Sequence, residues 1–445
     1  MAKLKTLLAA FQNKMRYSIN SVFDPKSEMG ASRMHVAASN YTSGIIANIV
    51  GGNFFTGLLL LLHADDLMMG TVTMIGFIGN TLQILSPLII ERVEKRKKFL
   101  IVGKSILYIL NIAVISLVSV SGIQYQAKLI AIMIVILVVN IFNAILSPGV
   151  SVWHIKSIPE SLRVKYFSFY SLTNGVIQYI IVLSLSKLVD VFKENGNEML
   201  GLQLLRIFAL LLAVLDIYFL LKVKEYPNVK RDASLNIKRI FIDPFRQKKY
   251  LITVFIACLW SFSANIPGPY YTVYMLKDLN VQYSYLNLIN MLNIPLIILF
   301  TPMWSRRIRE TSWFKTLYFA MGIYLVHYFG LAFVTRETLL YLYPLTMIFA
   351  FIFAPGINIV FANAPYINLP EANQTNYIGF YASMSNLAAF AGTSFGRELI
   401  KDTEGMNVNF LGMTMQNKQY ILLITALVML VSVYIIKILQ KRTGN

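Results

Sequence analysis

The apolar positions of the chain form long continuous runs rather than alternating patterns. Twelve runs can be marked, each of about 20 residues or more, which is the length that a helix needs to cross a bilayer. Backbone groups in lipid must be hydrogen-bonded within a helix or a closed barrel, and barrel strands alternate apolar and polar residues, so the runs predict helices. The predicted segments are 34–62, 69–90, 99–121, 128–150, 167–189, 201–221, 250–275, 283–303, 314–334, 339–361, 377–399 and 419–438.

Polar stretches between these runs divide the chain into five parts. The first stretch carries four cations around a short apolar core and is typical of a helix that lies on a membrane surface. The central stretch contains nine cations and two prolines, and it separates two groups of six segments. The predicted parts are an amphipathic N-terminal segment 1–33, a six-helix bundle 34–221, a basic linker 222–249, a second six-helix bundle 250–438 and a tail 439–445.

The cationic residues are concentrated on one side of the predicted helices. If the chain crosses the membrane at each predicted helix, successive connections lie on alternate sides. Most of the 40 lysine and arginine residues then fall in connections on the same side as both chain ends. Loops rich in lysine and arginine stay in the cytoplasm. Both termini are therefore predicted to be cytoplasmic, in a multi-pass protein of the cell (plasma or cytoplasmic) membrane.

Composition excludes most soluble classes. Of 445 residues, 56% are hydrophobic and only 14% charged, whereas soluble domains have roughly a quarter of their residues charged. The cationic residues that give the net charge of +19 lie between apolar runs, so the charge indicates membrane topology and not nucleic-acid binding. One cysteine and four scattered histidines offer neither a metal site nor a nucleophilic dyad, so no enzyme activity and no cofactor are expected.

The two groups of segments resemble each other in sequence. Three blocks match in the same order, and the offset between partners shrinks slowly along the chain, as loop deletions in a duplicated unit would leave it. The first and seventh segments correspond through the sequences Ala-Asn-Ile and a following glycine. The matched blocks are 47–56 with 264–272, 86–93 with 301–308, and 158–170 with 369–381.

At this point the chain resembles the major facilitator superfamily over nearly its full length. The family's loop between helices 2 and 3 has the pattern Gly-x-x-x-Asp-Arg-x-Gly-Arg-Arg. In this chain charged residues occupy the charged positions of the pattern, but other residues replace its two glycines. The stretch 159–167 is similar to the family's loop between helices 4 and 5. The charged matches are Glu91, Arg92, Lys95 and Arg96, and the departures are Pro87 and Glu94.

The resemblance implies an all-α integral membrane protein with twelve transmembrane helices, arranged as two six-helix bundles related by pseudo-two-fold symmetry. It also implies alternating access to a central cavity, lined by helices 1, 4, 7 and 10 with contributions from 2, 5, 8 and 11. The expected partners are a small-molecule solute, the bilayer and a coupling ion such as H⁺. A monomer is expected.

Carboxamides within the apolar runs are the candidates for solute binding. An unpaired amide in lipid costs free energy, so these side chains are expected to face the bundle interior. Hydrogen bonding between helices would use the same residues. The candidates, with three aromatic residues that could stack on a solute, are Asn48, Asn53, Asn143, Asn174, Gln178, Asn265, Asn287, Asn290, Asn358, Trp260, Tyr270 and Tyr271.

Charged residues near the segment ends suggest gates. Glu91 with Arg92 and Arg163 could form a cytoplasmic latch, because an acid among cations makes a contact that can reversibly break. Arg397 and Glu398 could act similarly at the other side. The competing interpretation is that these charges only fix topology. Asp216 is the candidate for coupling to H⁺, unless it reaches the membrane interface instead.

The predicted function is a secondary-active or facilitative transporter of a small organic solute. The amide-rich segments favour a neutral polar, sugar-like cargo. The 29 phenylalanines and 19 methionines would instead suit a hydrophobic-drug or multidrug exporter. A third interpretation is a sensor or scaffold of the same fold that binds a solute without moving it.

Overall fold

Twelve long helices make up most of the described part of the chain. A computed structural model describes residues 22–90, 93–226, 242–370, 374–410 and 412–443. The helices are α1 (Glu28–Leu61), α2 (Asp66–Leu85), α3 (Arg96–Val120), α4 (Tyr125–Lys156), α5 (Glu160–Glu194), α6 (Glu198–Lys222), α7 (Lys248–Asp278), α8 (Tyr283–Glu310), α9 (Trp313–Ala332), α10 (Leu339–Tyr366), α11 (Gln374–Asp402) and α12 (Asn417–Thr443). A short helix, Ser86–Ile90, continues α2, and two strands, β1 (Val408–Phe410) and β2 (Met413–Met415), pair antiparallel between α11 and α12.

Several helices begin at residues whose side chains cap the first turn. The Ser27 hydroxyl accepts the Gly30 N–H, and the Asp65 carboxylate accepts the Met68 N–H at 2.7 Å. Such caps satisfy N–H groups that have no partner within the helix. Helix α1 therefore starts at Glu28, six residues before the predicted start of its apolar run, because the cap and not the hydropathy sets the end.

Ten of these helices are long and apolar enough to cross a membrane. The other two are α9 and α11, whose polar residues lower their mean hydropathy. Helix α9 carries Tyr324, His327 and Tyr328, and α11 carries Asn386 and Arg397. Both lie among the spanning helices, α9 against α10 and α12, and α11 against α2 and α7. The chain is thus a multi-pass integral membrane protein, as predicted.

Helices α1 and α7 are interrupted at equivalent positions. Gly52 has φ +51° and Gly268 has φ +45°, a left-handed conformation that glycine adopts without steric cost. Each glycine follows the Ala-Asn-Ile sequence that the repeat places in both halves. The halves α1–α6 and α7–α12 thus share a local feature, which agrees with the predicted pseudo-two-fold fold.

The two halves meet along two helix pairs. Helix α2 packs along α11, from the Gly70 and Arg397 pair to the Ile84 and Gly379 pair. Helix α5 packs against α8. The contacts begin at the hydrogen bond from Gln282, just before α8, to Glu194, and they continue to the middle of α5. We call the end at which α1 begins and α12 ends the terminal end, and the opposite end the loop end.

The hydrophobic core crosses from one half to the other near the loop end. One buried cluster there includes Phe54 and Leu58 of α1 together with Tyr270 of α7 and Tyr283 of α8. The Phe54 and Tyr283 rings stack at 5.4 Å between centroids. Toward the terminal end the N-terminal half has a separate buried cluster around Trp153. The halves are therefore joined most tightly at the loop end.

The predicted five-part division is only partly within the described residues. Much of the predicted N-terminal segment and of the linker, residues 1–21 and 227–241, lies outside them. The helical parts on either side of the linker run from Glu28 to Lys222 and from Lys248 to Thr443. The domain limits stay a prediction.

Candidate solute-binding site

A cavity of about 270 Å³ lies between the two halves, and we call it the amide cavity. Its walls come from α1 and α5 on one side and from α8 and α10 on the other. None of the described residues that line it carries a charge. They are Asn48, Gln178, Tyr179, Val182, Asn287, Asn290, Asn293 and Phe351.

Asn48 and Gln178 in one wall of the amide cavity form a hydrogen-bonded series of three carboxamides with Asn174, which does not line the cavity. The Asn48 Nδ2 donates to Gln178 Oε1 at 2.7 Å, and the Gln178 Nε2 donates to Asn174 Oδ1 at 2.8 Å. Asn48 Nδ2 also donates to the Gly44 carbonyl at 3.0 Å. Asn48 nevertheless stays exposed in this structure. These hydrogen bonds hold the amides in fixed orientations, which is what a solute-binding wall requires.

A glycine in α1 permits the approach of Gln178. A Cβ atom placed on Gly44 would lie 1.9 Å from Gln178 Nε2, closer than any non-bonded contact allows. Any larger residue here would displace the amide. The position gave no signal in the sequence, because the approach depends on how α1 and α5 cross.

The opposite wall is a stripe of asparagines along α8. Asn287, Asn290 and Asn293 follow each other every three residues, so they lie near one helix face. Asn287 Nδ2 donates to Ser186 Oγ at 2.8 Å and Asn53 Nδ2 donates to Asn287 Oδ1 at 3.5 Å, both across the halves. Asn293 was missed in the sequence, although the three-residue spacing was a usable signal.

Two lining residues are aromatic, and both were also missed. Tyr179 of α5 forms a side-chain hydrogen bond with Asn293, and Phe351 of α10 is buried. Aromatic residues in apolar helices are common in cores, so neither position stood out in the sequence. Together they place ring faces beside the carboxamides.

The structure brings together Asn48, Asn174, Gln178, Asn287 and Asn290 of the predicted set, and it places the others elsewhere. Asn53 lies at the inter-half contact with Asn287, and Asn143 lines a second cavity. Asn265 Nδ2 donates within its own helix to the Ser261 carbonyl at 2.7 Å, and Asn358 is exposed on α10. Trp260 stacks on Phe361 inside the C-terminal half, and Tyr270 is fully buried beside Gly70. Binding roles for all these residues stay predictions.

The loop end is closed by contacts between the halves. The buried Asp190 carboxylate of α5 accepts the backbone N–H groups of Tyr283 and Ser284 in α8, each at 2.8 Å. The Tyr283 hydroxyl donates to Glu198 Oε1 at 2.7 Å. A carboxylate is favoured at a helix N-terminus, where N–H groups are unpaired and the helix dipole is positive.

An ion triad adds to this closure. Lys418 Nζ in α12 lies 3.1 Å from Asp66 Oδ2 in α2 and 2.9 Å from Asp278 Oδ2 in α7, so one cation links the halves. Arg397 of α11 also crosses to α2, donating to Thr71 Oγ1 at 3.1 Å. Its pair with Glu398 stays within α11.

Asp216 of α6 is fully buried and forms an ion pair. Its Oδ2 lies 2.8 Å from Lys104 Nζ and accepts the Tyr108 hydroxyl at 2.6 Å, and its Oδ1 accepts the Ser39 and Thr42 hydroxyls. Its role in coupling to H⁺, and the alternative that it lies at the membrane interface, both stay predictions. Four neighbours thus hold the carboxylate in α6 against α1 and α3.

The predicted latch lies mostly outside the described residues. Glu91 and Arg92 are not among them, and Arg163 Nε, in the first turn of α5, donates at 3.4 Å to the carbonyl of Ile158, which lies just before that helix. The latch stays a prediction.

Several solved membrane transporters have the same fold. The nucleoside transporter NupG is similar with a TM-score of 0.66 and 11% identity, covering 92% of this chain and 99% of its own. The xylose transporter XylE from E. coli gives 0.63 and 12%, covering 92% and 95%. A bacterial homologue of the iron transporter ferroportin gives 0.65 and 14%, covering 91% and 98%. At these identities the likeness shows the fold alone.

No curated protein sequence is significantly similar to the chain. A family model is more informative, since it matches residues 41–393 and so covers most of both halves. It agrees with the twelve-helix fold, the duplicated halves and the transporter architecture of the solved structures. The chain therefore belongs to the Major Facilitator Superfamily, and it is a membrane transporter.

Proposed function

We propose that this transporter moves a small, neutral, polar organic solute by alternating access, and that the solute binds in the amide cavity. Sugar-like solutes and nucleoside-like solutes, which join a sugar to a heterocycle, are the favoured classes. The observation that supports this most directly is the lining of the amide cavity, which holds five carboxamides and one phenol without a charged side chain.

The charge of the solute follows from this lining. Moving an ion out of water without a partner of opposite charge costs far more than moving a hydroxyl or amide that finds hydrogen bonds. Each carboxamide offers both donors and acceptors, which matches groups such as hydroxyls that do the same. Neutral solutes are therefore expected to bind, and their charged analogues are not.

The size and shape of the cavity support a small solute. Ligand pockets commonly have about 300 to 1,000 Å³, so the amide cavity, at about 270 Å³, lies just below that range. Phe351 and Tyr179 give it ring faces on which a sugar ring or a heterocycle can pack. A large hydrophobic drug, the alternative cargo, would leave the carboxamides without partners.

The contacts between the halves support an alternating-access cycle. Asp190, Lys418 and Arg397 make polar contacts across the halves at the loop end, where the hydrophobic core is also shared. We infer that these contacts break when the cavity opens toward the loop end. With both termini in the cytoplasm, as the cation distribution predicts, this structure corresponds to a state closed to the outside.

The proposal can be tested with a solute panel on the purified full-length protein. Neutral sugars and nucleosides should raise its thermal unfolding temperature, whereas sugar phosphates and sugar acids should not. Uptake into proteoliposomes then separates transport from binding alone, the sensor or scaffold alternative. If sugar phosphates or sugar acids stabilised the protein as well as neutral solutes, the proposed solute class would be wrong.

A matched pair of variants locates the site. Asn48→Ala should reduce stabilisation by any solute that scores, because it removes the donor to Gln178. Asn363→Ala is the control, since Asn363 is also an exposed asparagine that donates to its own helix but does not line the cavity. Equal solute binding by both variants would place the site elsewhere.

A further inference from the structure

A second cavity of about 400 Å³ lies inside the N-terminal half, and we call it the side chamber. It is bounded by α1, α3 and α4, and its described lining comes from this half alone. Six of its 14 described lining residues are aliphatic, including Val50, Leu107 and Val139. The proposed function does not use it.

The side chamber is a neighbour of the amide cavity. Ala47 lines the chamber and Asn48, the next residue of α1, lines the amide cavity. Both residues are exposed, and successive residues of a helix point about 100° apart. Helix α1 is therefore a ridge between two adjacent cavities, and a solute that crosses it at residues 47 and 48 would contact both.

The wall that α3 gives to the chamber has an unusual backbone. Residues Ile109–Val114 form a π-helix, and Asn111 in this turn lines the chamber. Arg206 of α6, only 3% exposed, donates to the Ile112 carbonyl at 3.3 Å and to the Asn111 carbonyl. A π-helical turn inside an α-helix is rare and is often found at functional sites.

Asp216 supports the same wall. It binds Lys104 and Tyr108 of α3, and both of these residues line the chamber. Two buried charged residues of α6 thus hold α3 in place, one through the π-helical carbonyls and one through an ion pair. Intramembrane charges are costly, so this arrangement points to a wall with a function beyond packing.

The chemistry of the chamber complements that of the amide cavity. Its aliphatic walls suit an apolar group, and the carboxamides of Asn111, Asn140 and Asn143 suit a few polar atoms attached to it. The amide cavity suits a neutral polar group. A solute that joins both kinds of group would fill both cavities across the Ala47 and Asn48 ridge.

We propose that the transported solute is bipartite, with its neutral polar head in the amide cavity and an apolar or aromatic substituent in the side chamber. This inference rests on the proposed function, since it assumes that the head binds at Asn48. The solute class is then a glycoside, or a conjugate of similar layout, rather than a free sugar.

Paired glycosides test the inference. Methyl and phenyl β-glycosides of glucose, galactose, xylose and ribose differ only in the apolar group. For the wild-type protein we expect at least one phenyl glycoside to bind about 10-fold or more tightly than its methyl partner, because burial of a ring stabilises the complex. Binding is measured by isothermal titration calorimetry with the full-length protein in detergent.

Chamber variants locate the effect. Val139→Phe and Ala47→Leu should each reduce the phenyl preference to about 2-fold or less and change methyl glycoside binding by less than about 2-fold. Ile134→Phe is the control, because Ile134 lies on the same helix with 58% of its surface exposed and does not line the chamber. It should keep the preference.

The outcomes separate the two proposals. Suppose that a methyl glycoside binds through Asn48 but that the wild-type protein shows no phenyl preference. This result would overturn the bipartite solute alone, and so would a phenyl preference that survives in both chamber variants. If neither kind of glycoside bound the wild-type protein, or if binding were unaffected by Asn48→Ala, the assignment of the polar head to the amide cavity would fail.

Discussion

The carboxylate of Asp190 accepts the backbone N–H of Tyr283 at a distance of 2.8 Å, and this contact joins α5 of one half to the first turn of α8 in the other. Asp190 is 5% exposed, so little water is available to replace the bond. Charge-assisted hydrogen bonds of this kind are about twice as strong as neutral ones. The contact therefore favours the state that is closed at the loop end.

Removing this carboxylate should open the loop end more often. Asp190→Ala loses the acceptor for two N–H groups, so a cysteine placed at Asn53 in a Cys258→Ser background should be labelled from that side several-fold faster by a membrane-impermeant thiol reagent. Asp402→Ala, which removes an exposed acid at the end of α11, is the control. Unchanged labelling in Asp190→Ala would show that the contact does not restrain opening.

The Lys418 triad should contribute to stability through charge balance. Lys418→Met leaves Asp66 and Asp278 without their shared cation, and we expect a loss of about 1 to 3 kcal/mol in unfolding free energy, because polar groups of low exposure lose a partner. Thermal unfolding in detergent measures the change. The double variant Lys418→Met with Asp278→Asn should recover part of the loss, and a double variant less stable than the single one would contradict the account.

Gly44 should control the position of Gln178. The methyl group of Gly44→Ala would clash with the Gln178 amide, so the bond to Asn48 should break and solute affinity should fall by about 10-fold, the equivalent of one hydrogen bond. Gly322→Ala is the control, because a Cβ there would meet Val433 at an ordinary 3.6 Å. Titration calorimetry of both variants gives the comparison, and equal affinities would exclude Gln178 from the site.

Asp216 should be essential for the stability of the N-terminal half. Asp216→Asn leaves Lys104, whose side chain is 15% exposed, without its counter-charge, and breaking a largely buried pair from one side commonly costs about 3 to 5 kcal/mol. The double variant Asp216→Asn with Lys104→Met should be more stable than the single variant. Thermal unfolding of the three proteins checks this order, and an equally stable single variant would mean that the pair is dispensable.

The same double variant tests the prediction that Asp216 couples transport to H⁺. If it does, proteoliposomes with the double variant should exchange solute across the membrane but not accumulate it when a pH gradient is applied. Accumulation at the wild-type level would restrict Asp216 to a positioning role in the wall of the side chamber.

Local sequence features predicted much of the fold. The continuous apolar runs identified the helices, since lipid leaves the backbone few alternatives. The repeat predicted that α1 and α7 correspond, and the structure adds that both contain a left-handed glycine, Gly52 and Gly268. Helix ends were less predictable, because caps such as Ser27 extend α1 beyond its apolar run.

The candidate site was only partly predictable, since it depends on packing between distant segments. The carboxamides Asn48, Gln178 and Asn290 could be identified because amides are costly in lipid. Their assembly into one cavity could not, because it depends on how the two halves meet. Tyr270 illustrates the limit, since it was predicted as an aromatic residue that could stack on a solute, and the structure places it, fully buried, against Gly70 of the other half.

The most direct test of the central claim, that the amide cavity binds the transported solute, is counterflow in proteoliposomes. A radiolabelled neutral solute identified by the panel should enter vesicles preloaded with the unlabelled compound. We predict that Asn48→Ala and Gln178→Ala each reduce the initial rate at low solute concentration by about 10-fold, as loss of one hydrogen bond implies, while Asn363→Ala keeps the wild-type rate. Wild-type rates in both cavity variants would contradict the account.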